Sequence, residues 1–563
     1  MYSIMKNKKM KIGRMSLALV VMWFLVGYIA YPTCNTVILS FMGDKGMTLS
    51  FYKDFFTVKA NIEALGNTLL LGFSNIIVCG VIGTILAFYV NYFDFPFKKL
   101  TNKLLLTPIM LPGIIIVLAF IQLYGESGMI TKTIEILFRL NQAPYVFSGF
   151  GGILFVHAYT QYVYFYMNVS VAIKNIDYSV IEAAQNLGAS KLKIFTSIIL
   201  PFIKPALIAS SIITFMLGIG SFSAPSLIGD HYKVLTTQIL LAKANNYMEM
   251  AAVQVIVLTI VSIVFLLVFR YYEKKNNFTS SVKGVGIRSI KIENKWAKGV
   301  FMMLSTILIV LIILPVITII ILSFVKTGTW MIEIYPREFS LDNYKNIFTK
   351  SRVLAPFINS INMSMIAALL GAFVAIPCSY LIVKTQYRFK ILVEILAMLP
   401  WAMPASAIAI NMINAFNKGN IFSFNSILIG SYVILPLAYY VKVLPLALKT
   451  ISVSLYNLND TYMEASKSLG ASWLYTFRKI TIPIIMPGIT AGIMLGFIRS
   501  VGEYTISVYL YTVWNKPISI AMVNALFEYE IGITMAYGVL IILLTAILSV
   551  FVTKLVRIGQ VQI

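Results

Sequence analysis

The sequence predicts an all-α integral membrane protein whose 12 transmembrane helices form two six-helix repeats in parallel orientation. Three observations predict it. Of 563 residues, 59% are hydrophobic and 12% charged, and mean hydropathy is +0.85, the balance of a polytopic membrane chain rather than a soluble enzyme. Six long apolar runs precede a basic connector and six follow it. A polar stretch at residues 181–201, IEAAQNLGASKLKIFTSIILP, returns at 463–483 as MEASKSLGASWLYTFRKITIP. Glu182 and Glu464, Gly188 and Gly470, and Pro201 and Pro483 share one offset of 282, about half the chain. Both copies are polar islands between apolar runs.

Residues 1–14 carry Lys6, Lys8, Lys9, Lys11 and Arg14. The apolar run at 15–41 that follows is long enough to span and lacks a small-x-small cleavage site, so it reads as a first span rather than a signal peptide. The second span is predicted at 67–90, followed by a turn with Lys98, Lys99 and Lys103. A third, at 104–124, contains Pro108 and Pro112; an outer segment leads to a fourth at 149–172. The first polar loop, 178–201, comes next, then a fifth span to about 229 and a sixth at 251–271. The first domain is thus 15–272, and the linker 273–298 is rich in lysine and arginine.

The second domain, 299–556, repeats this order and leaves a tail at 557–563. Its spans are predicted at 299–325, 359–383, 391–416, up to about 448, from 484 and from 535, with its polar loop at 460–483. Pro400 and Pro404 match Pro108 and Pro112 at an offset of 292, so about ten residues are redistributed within each half. Net charge is +24, which in a soluble chain suggests nucleic acid. Here the basic residues gather in the N-terminus, the turns and the linker, the signature of cytoplasmic loops, so no nucleic-acid partner is expected. Both termini and both polar loops then face the cytoplasm. An internal repeat of equal orientation predicts a pseudo-two-fold axis along the membrane normal.

Within each polar loop, Ser179 with Glu182 and Thr461 with Glu464 have capping-box spacing, which predicts a short helix starting there. Ile181, Ala184 and Leu187 form its mildly apolar face, as do Met463, Ser466 and Leu469. Gly188 and Gly470 fall where a left-handed residue ends a helix, a conformation costing a residue with a Cβ roughly 1 kcal/mol. A second short helix follows, and Pro201 or Pro483 is placed to open the next apolar helix. The product is a helix-turn-helix knob, made twice.

These residues carry a resemblance. The pattern E-A-[AS]-x3-G-x12-P after a membrane span is similar to the "EAA" loop of the permease subunits of binding-protein-dependent ABC importers. A fused pair of such domains resembles the iron(III) and 2-aminoethylphosphonate branch of that superfamily. The resemblance implies that Glu182, Ala183, Ala184 and Gly188, with Glu464, Ala465 and Gly470, form coupling helices docking on cytoplasmic ATPase subunits. It further implies an ATPase homodimer, an extracytoplasmic solute-binding protein and a bacterial plasma membrane. The chain has no Gly-Lys dipeptide, which excludes a Walker A loop, so ATP belongs to the partner and no cofactor or metal is expected here. Cys34, Cys79 and Cys378 have no metal spacing, and only His157 and His231 supply imidazoles. An enzyme would need clustered acids or nucleophiles. A twelve-span secondary transporter, the rival reading, would need no EAA loops.

One asymmetry separates the halves. The offset of 282 pairs Leu217 with Arg499 and Ser221 with Glu503, so only the second half is charged there. A charge at the membrane centre costs at least about 3 kcal/mol on insertion scales, so these groups are expected to face protein or water. Four residues apart, Arg499 and Glu503 can pair on one helical face. They read either as a structural ion pair or, with Ser221, as part of a gate in the translocation path, Arg499 suited to an oxyanion and Glu503 to a cation.

Overall fold

The computed structural model describes residues 18–275, 290–291, 294–329, 334–386 and 388–561. The basic N-terminus 1–14 and most of the linker 273–298 lie outside them. Among the described residues, ten helices are long and apolar enough to cross a membrane, and one bent pair brings the number to 11. In chain order the helices used below are α1 (Ala18–Phe41), α2 (Lys59–Tyr92), α3 (Gly113–Tyr124) and α4 (Gly149–Lys174). After these come α5 (Tyr178–Asn186), α6 (Lys191–Ile219), α7 (Ser223–Ile228), α8 (Met248–Lys275) and α9 (Lys295–Ser323). The second half continues with α10 (Ser351–Lys384), α11 (Lys390–Ala402), α12 (Ala405–Phe416), α13 (Ile434–Tyr456) and α14 (Thr461–Ser468). It ends with α15 (Trp473–Val501), α16 (Thr505–Leu510), α17 (Ile518–Phe527) and α18 (Ile531–Val561).

The predicted fourth span exists as α4, 26 residues long. It reaches about 39 Å at 1.5 Å per residue, enough to cross, but His157, Gln161 and several tyrosines keep its hydropathy below that of the other ten. The third and ninth spans differ from expectation, because neither is a continuous helix. Leu111 and Met403 are extended, with ψ of 133° and 127°, as a residue before proline is sterically driven to be. Pro112 and Pro404 then cap α3 and α12. Between α11 and α12 the axis bends by 114°.

The chain forms two compact units, each drawing on both halves of the sequence. One contains residues 1–54, 242–256 and 341–563; the other contains 55–241 and 257–340. The sequence repeats 15–272 and 299–556 therefore differ from the compact units in their first spans and in residues 242–256. In the first unit α1 lies along α12: Tyr28 donates to the Phe422 carbonyl at 3.0 Å and Asn414 to Thr36 Oγ1 at 3.0 Å. In the second, α9 lies along α3, and Tyr89 and Tyr159 donate to the carbonyls of Phe301 and Ile312 at 2.8 and 2.7 Å. The first spans are thus tied to their neighbours by side-chain hydrogen bonds, three to backbone carbonyls and one to a hydroxyl.

Helices α2 and α4 pack closely in the second unit, and Gly83 sets their separation. A Cβ there would stand 2.5 Å from the Tyr162 carbonyl oxygen and 2.6 Å from Phe165 Cβ. Backbone cannot yield as a side chain can, so Gly83→Ala is expected to destabilise the protein in detergent by about 1–3 kcal/mol. Gly66→Ala on the same helix, where nothing lies within 4 Å, is the control. Equal melting temperatures for the two variants would contradict this packing.

Candidate functional site

Each polar loop folds as a helix, a left-handed glycine and a second helix start, but its caps differ from the predicted capping boxes. The first short helix, α5, is capped by Asp177, whose carboxylate accepts from the Ser179 N–H at 3.0 Å. At α14 the side chain of Asn459 accepts from the Thr461 N–H at 3.0 Å and from its hydroxyl at 2.7 Å. An acceptor two residues before the predicted partner is already in place, so Ser179 and Thr461 sit inside the turn rather than ahead of it. This leaves Glu182 and Glu464 exposed instead of folded back on the helix start.

Gly188 and Gly470 end these helices as expected, with φ of +79° and +81°. Ala189 donates to the Ala184 carbonyl at 3.0 Å and Ala471 to Ser466 at 3.1 Å, the six-to-one bond of a Schellman ending. Nothing lies within 4 Å of a Cβ at either glycine. Their requirement is therefore one of backbone conformation alone. Ser190 and Ser472 then cap the next helices through Lys193 N–H at 3.3 Å and Tyr475 N–H at 3.2 Å.

Beyond these caps the prolines do not start new helices. Helices α6 and α15 run through them, and each contains a five-residue π turn, Phe195–Ile199 and Phe477–Thr481, at the same offset of 282. Proline clashes with the carbonyl four residues back, which for Pro201 and Pro483 lies inside these widened turns, so the wider turn accommodates the ring.

The knobs present one feature that apolar periodicity misassigned. Leu187 and Leu469 are 88% and 89% exposed, whereas Ile181 is buried. They precede the left-handed glycine, where the chain turns away from the packed face. Each knob therefore offers an exposed glutamate, an exposed alanine (Ala183 or Ala465) and an exposed leucine, with Ala184 half-buried behind them in the first copy. Both tips are thus exposed and apolar.

The charged position lies at a break in the helix. Helix α15 ends at Val501 and Gly502 turns the chain, so Glu503 stands outside the helix that carries Arg499 rather than on its face. Its carboxylate is 6% exposed, accepts from the Ile506 N–H at 3.0 Å and forms an ion pair with Lys442 of α13. Ser519 donates to the Glu503 carbonyl at 2.7 Å. The first half repeats this frame without charge: α6 ends at Ile219, Thr236 donates to the Ser221 carbonyl at 2.6 Å, and Ser221 Oγ meets His157 Nε2 at 2.8 Å. Lys442 was legible from the repeat, since the offset of 282 pairs it with Thr160.

Helix breaks, exposed knobs and the repeat describe one kind of protein. The family described as "Binding-protein-dependent transport system inner membrane component" matches residues 80–277 and 367–558. The chain belongs to that family. It is a multi-pass membrane permease with two copies of the family's domain, which excludes the secondary-transporter reading. Over 465 residues it is 29% identical to the probable ABC transporter permease protein y4fN of Sinorhizobium fredii, covering 82% of this chain and 81% of that protein. It is 24% identical to the ferric transport system permease protein FbpB of Actinobacillus pleuropneumoniae, over 97% of this permease and 79% of the relative. It is 31% identical to a putative 2-aminoethylphosphonate transport system permease protein, PhnU, of Salmonella typhimurium, over 30% of this chain and 60% of the other.

The Lys442–Glu503 pair generates a stability test. Lys442→Met leaves a buried carboxylate without its cation and is expected to destabilise the permease by roughly 3 kcal/mol. Adding Glu503→Gln removes the uncompensated charge and is expected to recover most of that loss. Thermal unfolding in detergent reads both; a double variant no more stable than Lys442→Met would show that the pair is not coupled.

Proposed function

We propose that this permease is the membrane-spanning component of an ABC importer. It takes a small solute from an extracytoplasmic binding protein and is powered by two separate ATPase subunits. The observation that carries the reading is the pair of exposed knobs in register. Glu182, Ala183 and Gly188, with Glu464, Ala465 and Gly470, would fit two equivalent grooves of an ATPase homodimer. Closure of that dimer on ATP would drive the knobs, and α6 and α15, continuous with them through the π turns, would carry the movement into the membrane. Energy enters through the partner, and the chain acts as the pathway.

Iron(III) stands first as substrate and a phosphonate-type oxyanion second, because the ferric relative is similar along nearly the whole chain and the phosphonate relative along a third of it. Ser221, Arg499 and Glu503 are proposed to belong to the path. Both helix breaks expose peptide groups of a kind that membrane proteins keep only where protein or water can satisfy them. In this reading Glu503, locked by Lys442, is a gate position supplied by the second half. Uptake of labelled ferric citrate against labelled 2-aminoethylphosphonate, in cells expressing the permease with its partners, discriminates the two substrates.

Coupling is tested at the glycines. Asparagine tolerates the left-handed conformation and valine does not. With open space around both Cβ positions, Gly188→Asn and Gly470→Asn are expected to retain most uptake. Gly188→Val and Gly470→Val are expected to lose it while the protein still reaches the membrane. Normal uptake by both valine variants would sink the coupling reading. Orientation is tested by a cysteine at Asn420, which should react with an impermeant maleimide from outside intact cells; labelling only after the cytoplasmic side is opened would invert the topology.

A further inference from the structure

The two knobs rest on different foundations. Beneath α5, Ile181, Ile194 and Ile199 are 4%, 5% and 7% exposed and belong to one apolar cluster, with Tyr92 and Tyr178 packed against it. Burial there draws the ammonium of Lys98 below its ordinary pKa, and Lys174 adds to the effect while Asp94 opposes it. In the second half the equivalent positions are Met463, Thr476, Thr481, Lys384 and Asp460. The two tyrosines are replaced by an ion pair, Lys384 to Asp460 at 2.6 Å, and two of the three isoleucines by threonines.

Beside these residues the second half carries an open cavity. A cavity of about 670 Å³ lies between the end of α10, the start of α11, α14 and the start of α15. Lys390 and Lys467 line it together with Thr481, and Tyr380, Trp473 and Phe477 make an aromatic wall. Thr481 is 1% exposed, and its hydroxyl has no hydrogen-bond partner. A buried hydroxyl without a partner is unfavourable, and isoleucine at the equivalent Ile199 has none to satisfy. Since Lys384 is neutralised by Asp460, the lining retains Lys390 and Lys467 against Glu464 and is net positive.

We propose that this cavity binds a phosphate ester, its phosphate held by Lys390 and Lys467 and hydrogen-bonded by Thr481, its organic part against Trp473 and Phe477. The occupant packs against Met463, Thr476 and Thr481, the counterparts of the three isoleucines, and supports the second knob from below. The cytoplasmic placement rests on the coupling reading, and two sources of the same chemistry are then available: the headgroup of an anionic phospholipid or a soluble phosphate ester.

Lysine acetylation kinetics, read by peptide mass spectrometry on the full chain in nanodiscs, test the site without ATPase subunits. Failure here is thus separable from failure of the glycine uptake tests. Three conditions are compared: phosphatidylcholine alone, phosphatidylcholine with phosphatidylglycerol, and phosphatidylcholine with glycerol 3-phosphate. Roughly tenfold slower acetylation of Lys390 and Lys467, as expected at ligand about nine times its Kd, identifies a lipid if only phosphatidylglycerol protects. It identifies a soluble ester if glycerol 3-phosphate protects. The triple variant Met463→Ile, Thr476→Ile, Thr481→Ile transplants the first half's residues and should abolish protection. Thr481→Val, which removes only the hydroxyl, should weaken it and serves if the triple variant does not fold. Equal acetylation in all three conditions overturns the proposal, as does full protection surviving both variants.

Discussion

Hydrocarbon offers no partner for a peptide group, and every feature of this permease answers to that constraint. Helices satisfy themselves, so most of the chain is long helix. Wherever a helix stops inside the apolar zone, something else must take over its free carbonyls and N–H groups. Thr236 and Ser519 do this at the breaks after α6 and α15, binding the carbonyls of Ser221 and Glu503. Tyrosines and an asparagine also tie α1 and α9 to their neighbours, through three backbone carbonyls and the Thr36 hydroxyl.

The same constraint governs what can be placed at the breaks. A break costs backbone bonds, and is tolerated where other groups compensate. Glu503 illustrates this: its carboxylate takes the Ile506 N–H at the start of the next helix while pairing with Lys442. One residue thus caps a helix, balances a charge and fixes the chain's turn. Its counterpart Ser221 holds a similar turn with a neutral bond to His157. Duplication preserved the frame, and the two copies diverged in the charge placed on it.

The knobs diverged in a complementary way. Their outer surfaces share an exposed glutamate, alanine and leucine and a left-handed glycine. Their undersides are apolar in one copy and polar in the other. In the proposed coupling role the tips would be constrained alike, whereas an underside need only support its own loop. The two copies thus differ more beneath the loop than at its exposed tip.

From the sequence alone, the membrane class, the duplication, the knobs and their glycines could be read, because each is written in local composition or in a fixed offset. Gly188 and Gly470 needed nothing beyond their own positions, since the left-handed conformation is a property of one residue. The sequence also held the offset that pairs Lys442 with Thr160, though the significance of that pair appears only when α13 meets the end of α15. What the tertiary structure alone decided are the features made by distant residues. Caps came from Asp177 and Asn459 rather than from the spacing of serine or threonine with glutamate, because an acceptor two residues earlier reaches the free N–H first. The path of the chain through the prolines was settled by packing, giving π turns at two and a sharp bend at another. The exchange of first spans between compact units, and the cavity under α14, depend on which side chains of remote segments meet, and no local pattern encodes that.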